Sequence, residues 1–150
     1  MPQVAVIMGS KSDAEVMQGA VEVLDSLGIT YEVQIISAHR TPEKAREFAL
    51  RAKERGIEVI IAGAGMAAHL PGVLASWTTL PVIGVPLISG ELKGIDALCS
   101  IAQMPNGIPV AAVAIDGAKN AAYLAASILA IKYDKIKNAY EKYRRSLQGG

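Results

Sequence analysis

The sequence predicts an α/β fold: a three-layer sandwich whose five-stranded parallel sheet lies between helices, with one extra helix at the C-terminus. Three observations predict it. Short apolar runs alternate with longer segments of helical period, five times over. The first run, Val4-Ala5-Val6-Ile7-Met8, is apolar throughout, as a strand covered on both faces must be. Gly28, Pro42 and Pro71 stand where helices stop or start.

Taken in order, Val4 to Met8 is the first strand, and Gly9-Ser10-Lys11-Ser12-Asp13 breaks it. A helix from about Asp13 to Leu27 places Val16, Ala20, Val23, Leu24 and Leu27 on one face, and Gly28 ends it. Tyr31 to Ile36 is a strand and Pro42 to Arg55 a helix. Val59 to Ala62 is a strand, and Ala67 to Trp77 a helix with Pro71 early enough that its missing amide proton costs little. Val82 to Val85, Ile95 to Gln103, Val110 to Ile115 and Asn120 to Lys132 continue the alternation. Right-handed crossovers make this a doubly wound, flavodoxin-like sandwich. In the last helix, about 133–147, Tyr133, Ile136, Tyr140, Tyr143 and Leu147 form one stripe. The sheet is complete before it, so the stripe is expected to pack on another subunit, with its own domain as the alternative.

The 150 residues read as one domain, 1–150, without an internal boundary. Hydrophobic residues make up 51% and charged residues 19%, which points to apolar surface buried between subunits. A net charge of +1 gives no electrostatic case for nucleic acid. No apolar stretch reaches the roughly 18 residues of a membrane span, and no charged segment precedes Val4 as in a signal peptide. A cytoplasmic location is expected. Cys99 is the only cysteine, so an internal disulfide is excluded, and its apolar surroundings predict an inert core thiol.

Ligands of an open parallel sheet bind beyond the carboxyl ends of its strands. Three loops there carry the unusual polar groups. In Gly9-Ser10-Lys11-Ser12-Asp13, free amides and two hydroxyls suit a phosphate, or Ser12 or Asp13 simply caps the helix. No Walker or dinucleotide pattern is present. In Ser37-Ala38-His39-Arg40-Thr41-Pro42, Arg40 can bind phosphate through two N–H groups, and His39 can act as acid or base near neutrality. In Ala62-Gly63-Ala64-Gly65-Met66-Ala67-Ala68-His69-Leu70-Pro71, small residues let a ligand approach the backbone, and His69 is either a ligand contact or a structural residue. Two histidines without a third ligand at metal spacing argue against a metal. The absence of a Gly-x-Ser-x-Gly elbow argues against a serine hydrolase.

These loops, with Gln103-Met104-Pro105-Asn106-Gly107-Ile108-Pro109-Val110 and Asn120-Ala121-Ala122, resemble the signature segments of the PurE family over nearly the whole chain. Ser-Ala-His-Arg-Thr-Pro and the full third loop resemble the bacterial-type branch, which moves a carboxyl group from nitrogen to ring carbon within an aminoimidazole ribonucleotide. The animal-type branch carboxylates aminoimidazole ribonucleotide directly with carbon dioxide and typically has lysine where Arg40 stands. Asp116-Gly117-Ala118-Lys119 departs from the family's usual glycine- and alanine-rich stretch, away from the histidine loops. The resemblance implies a homo-octamer, a ribonucleotide substrate, no cofactor or metal, and transient contact with an upstream synthetase. It implies His39 as the single acid and base. Ser10, Ser12, Ser37 and Arg40 would bind the phosphate, with Ala38 a further substrate contact, and Asp13 would take ribose hydroxyls or cap its helix. Backbone amides of the third loop would hold the carboxyl group, Ala67, Ala68 and Leu70 would cage it, and Gly65 would touch the substrate, with His69 a contact or support.

Overall fold

A computed structural model describes residues 1–149; Gly150, the last residue of the expected domain, lies outside the described residues. The strands are β1 (Val4–Met8), β2 (Tyr31–Ile35), β3 (Val59–Gly65), β4 (Val82–Leu87) and β5 (Ala111–Ala112). The helices are α1 (Ala14–Ser26), α2 (Pro42–Arg51), α3 (Leu70–Trp77), α4 (Ile95–Ala102), α5 (Ala118–Leu129) and α6 (Asp134–Gln148). The strands form one sheet in the order β2-β1-β3-β4-β5, and every pairing is parallel. The order reverses between β1 and β3, where the chain goes out to β2 and returns. That reversal opens a crevice at the strand ends.

Alternation along β1 divides the core. Val4, Val6 and Met8 pack with Met17, Leu24, Ala121 and Ala125 beneath α1 and α5. Ala5 and Ile7 pack with Phe48, Leu70, Leu74 and Ile101 beneath α2, α3 and α4. The apolar run of β1 is thus buried on both sides. Alanines at 118, 121, 122, 125 and 126 are all buried, and their small side chains let α5 approach α1 and the sheet closely.

Several boundaries differ from the sequence reading; β4 runs two residues past Val85, and α5 spans Ala118–Leu129 rather than Asn120 to Lys132. β3 continues three residues past Ala62, because Gly63, Ala64 and Gly65 pair with Val85, Pro86 and Leu87. Part of the expected third loop is therefore strand. A Cβ on Gly63 would stand 3.2 Å from Leu87 Cδ1, so the small residue there serves packing. α3 begins at Leu70 rather than Ala67, since Met66 turns the chain at φ 49. α2 ends at Arg51, followed by turns up to Gly56 at φ 87. β5 shrinks to two exposed residues, because the chain turns sharply where the Gly117 N–H bonds to Ala114 O at 2.8 Å.

The stripe of α6 docks on its own chain. Ile136 is buried, and the Tyr123 ring of α5 stacks on Tyr140 and Tyr143 at centroid distances of 5.7 and 4.4 Å. The start of the helix is anchored just before β3: Tyr133 Oη donates to Glu58, and Lys132 Nζ lies 3.0 Å from the same carboxylate. Leu147, the last member of the stripe, stays exposed. Tertiary packing also overturns the core-thiol reading of Cys99, which lies on the outer, exposed side of α4.

Gly84 of β4 has no room for a side chain. A Cβ there would collide with the Cγ2 methyl of Ile101 and stand 3.3 Å from Pro71 Cβ. Ile101 is β-branched and Pro71 is a ring, so neither yields easily. Gly84→Ala is expected to destabilise the fold by about 1–3 kcal/mol. Urea unfolding checks this, and a midpoint equal to the wild type's contradicts it.

Candidate active site

The loops after β1, β2, β3 and β4 emerge at one edge of the sheet. The first bends into a single 3₁₀ turn, Lys11–Asp13, capped by Ser10. Ser10 Oγ accepts from the Ser12 amide at 3.3 Å and lies 3.0 Å from Ser12 Oγ. Ser10 caps only the 3₁₀ turn; at α1 the N-cap residue is Asp13, and it makes no side-chain capping bond.

The second loop is braced internally and to the first. Thr41 Oγ1 donates to Ser37 O at 3.0 Å and accepts from the Ser37 amide at 3.1 Å. Ser37 Oγ accepts from the amide and the Nε of Arg40, at 3.1 and 3.3 Å. Arg40 Nη2 donates to Gly9 O at 2.9 Å. The guanidinium is fixed by these bonds and keeps further N–H groups for an anion.

The third loop turns at Met66, and the His69 amide donates to Ala67 O at 2.9 Å. This turn brings the two histidines together. His39 Nε2 lies 2.8 Å from His69 Nδ1, with the rings nearly perpendicular at 85°. Such a bond needs one N–H and one bare nitrogen, so the two rings hold a shared proton between them. The pairing links loops 30 residues apart in the chain.

One cavity of about 210 Å³ gathers nearly all the expected residues. Ser10, Ser12 and Asp13 line it from the first loop, and Ser37, Ala38, His39 and Arg40 from the second. Gly65, Ala67, His69 and Leu70 line it from the third. Ala68 does not: it is 1% exposed and packs into the core beside Leu70 and Leu74, because the turn at Met66 points it inward. Its expected place in the cage is corrected accordingly, although its backbone remains at the turn. Sequence reasoning missed Gly9 as a lining residue, and also Ala64, Met66 and Ser89. Ser89 follows β4, so the strand-end rule that selected the other loops points to it as well. A larger groove of about 670 Å³ runs beside Leu50, Lys53 and Trp77, but it contains neither histidine. Among the described residues no cluster of three His, Cys, Asp or Glu side chains could hold a metal ion.

The Asp13 carboxyl is held above its ordinary value of 3.8, chiefly by burial, with the Ser10 backbone bond and the Arg40 charge partly opposing the shift. The folded protein therefore keeps this proton at pH values where the unfolded chain has lost it. Across that window, opening just above pH 3.8, stability falls as pH rises. Asp13→Asn should remove this part of the pH dependence. Urea unfolding of both proteins from pH 3 upward checks it; parallel stability curves contradict it.

The comparisons with known proteins agree with this geometry. Residues 3–149 match the family described as AIR carboxylase. The chain is 62% identical over 148 residues to the N5-carboxyaminoimidazole ribonucleotide mutase of Pyrococcus abyssi, spanning 99% of this chain and 85% of that protein. It is 59% identical over 148 residues to the protein of the same name from Thermotoga maritima, spanning 99% and 86%. The crystal structure of Treponema denticola PurE superposes with a TM-score of 0.87 at 30% identity, covering 99% of this chain and 93% of that one. With the match running through all four loops of the site, the chain belongs to the AIR carboxylase family, the PurE family that its signature segments resemble.

Proposed function

We propose that this protein is a purine-biosynthesis mutase that converts 5-(carboxyamino)imidazole ribonucleotide to 4-carboxy-5-aminoimidazole ribonucleotide. The observation that carries the reading is the position of His39, bonded to His69 at 2.8 Å in the cavity that Arg40 and the small-residue turn also line. Relatives about 60% identical across the chain carry the mutase name.

The substrate is a carbamate. Protonating its exocyclic nitrogen lets the N–C bond break, releasing carbon dioxide and a neutral aminoimidazole. Carbon 4 of that ring, the nucleophilic end of an enamine, then forms a C–C bond to the carbon dioxide. The proton left on carbon 4 must depart to restore aromaticity. His39 gives the first proton and takes the last, so it ends as it began and the balance closes without a cofactor. In its acid form His39 donates through Nε2–H to Nδ1 of a neutral His69, which fixes the rotation of its ring. The amide of Ala67, which lines the cavity, makes no backbone hydrogen bond among the described residues, which leaves it for a carboxyl oxygen. Holding carbon dioxide in a closed space gives it a large effective concentration beside carbon 4. Arg40, Ser37, Ser10 and Ser12 suit the phosphate, and anionic Asp13 suits the ribose hydroxyls.

Exposed Ile88, Leu92 and Ile95, all more than half accessible, support burial between subunits. The homo-octamer, a place in the route to IMP and contact with the upstream synthetase follow from the family resemblance, and these, with the cytoplasmic location expected from the sequence, form part of this proposal. The competing activity is direct carboxylation of aminoimidazole ribonucleotide. Arg40 in the second loop favours the mutase.

Purified protein without ATP or metal should convert the carbamate faster than it carboxylates aminoimidazole ribonucleotide supplied with bicarbonate. The reverse preference would move the protein to the direct carboxylase. His39→Asn should fold normally while turnover falls by about 10²–10⁴; a variant that keeps most of its activity removes His39 from the role. Arg40→Ala deletes charge-assisted bonds of about 1.5–3 kcal/mol, so affinity for the phosphorylated ligand should drop about 10- to 100-fold. An unchanged affinity by calorimetry contradicts that assignment.

A further inference from the structure

The chain leaves β4 at Ile88, and the next residue, Ser89, enters the wall of the histidine cavity. Ser89 lies hard against the end of β3: a Cβ on Gly65 would stand 2.9 Å from Ser89 Cβ. On its other side, a Cβ on Gly90 would stand 3.5 Å from Met66 Sδ. Strand order sets the loops along the edge as second, first, third and fourth. Arg40 and Ser10 therefore lie toward one end of the cavity and Ser89 toward the other. Beyond the first two loops the lining is Ala64, Gly65, Met66, Ala67, His69 and Leu70, and Ser89 brings the one hydroxyl on that side.

The hold on Ser89 comes from a residue far along the chain. Asp116 Oδ1 accepts the Ile88 amide at 3.1 Å, and the Asp116 amide donates to Pro86 O at 2.8 Å. Asp116 adopts φ 59, a left-handed conformation that Asp and Asn tolerate better than most residues. β5 has already ended at Ala112, and only the Val113 amide still reaches Gly84 O. Asp116 thus prolongs the link to β4 by side chain and backbone together, up to the residue that precedes Ser89. The expected departure at Asp116-Gly117-Ala118-Lys119 is not remote from the site: it is bonded to the fourth loop.

The geometry points to Ser89 as a contact for the migrating carboxyl group and to Asp116 as the residue that positions it. The inference rests on the mutase reading above. With the phosphate held at the Arg40 end, the imidazole and its carboxyl group lie toward the Ser89 end. The hydroxyl donates to a carboxyl oxygen before, during and after transfer, and the 88–90 segment closes the wall through which carbon dioxide would escape.

The test compares Ser89→Ala, Asp116→Gly and Asp116→Asn in the full chain. Glycine keeps the left-handed φ and loses the acceptor; asparagine keeps both. The readout is the share of consumed carbamate that ends as free aminoimidazole ribonucleotide, corrected for breakdown without enzyme. That share does not depend on how much of the protein is folded. Losing one neutral hydrogen bond should raise leakage about fivefold in Ser89→Ala. Asp116→Gly should match it, and Asp116→Asn should stay near wild type. Backbone amide exchange should quicken at residues 88–90 in Asp116→Gly alone. Wild-type partition in Ser89→Ala, or slower turnover with unchanged partition, overturns the carboxyl contact. Unchanged exchange at Ile88 in Asp116→Gly overturns the anchor. Should the wild type fail to convert the carbamate, the mutase reading has failed, and the exchange arm still decides the role of Asp116.

Discussion

β1 is hydrogen-bonded on both sides, to β2 and to β3, and all five of its residues are buried. Its register sets Met8 beside Ile35 on one side and Gly63 on the other. Everything at the carboxyl edge depends on that double pairing. It fixes where Gly9 leaves the sheet, and with it the spacing between the loops that carry His39 and His69. A slip of one residue would turn every side chain of β1 to the opposite face and undo both halves of the core. The site is precise because it is built at the ends of strands that cannot move independently.

Polar bonds carry that precision outward into the loops. Arg40 joins the second loop to the first through Gly9 O, and Thr41 closes the second loop on Ser37. The two histidine rings join the second loop to the third. Asp116 joins the fourth to the turn that follows β5. Each loop is thus tied to another element, so the cavity walls hold their spacing although they are made of irregular backbone. Such ties favour a reaction that must keep a small neutral molecule in place between two bond changes.

The sequence reading went astray where an element's surroundings, rather than its own pattern, decide its state. Gly63, Ala64 and Gly65 carry loop-like composition, yet partners in β4 draw them into the sheet. Val110 to Ile115 has strand composition, yet at the sheet edge only Ala111 and Ala112 pair. Cys99 sits among apolar neighbours in sequence, yet helical rotation places it on the exposed side of α4. The aromatic stripe of α6 was legible, but its partner was not: the Tyr123 ring lies on another helix, and sequence spacing carries no information about that encounter.

The sequence by itself determined the α/β alternation, the covered strands and the loops that bear chemistry. These follow from local periodicity and from the need of backbone turns for glycine and proline. It also placed His39, Arg40, Ser10, Ser12 and Ser37 at the carboxyl edge of the sheet, since the strand-end rule requires only chain order. Only the tertiary structure decided that His39 meets His69, that Ala68 turns inward, and that Asp116 reaches the fourth loop. Those are contacts between residues 28 and 30 positions apart, or matters of which way one side chain rotates. Strand pairing and the left-handed turns at Met66 and Asp116 set them, and neither feature leaves a periodic trace in the chain.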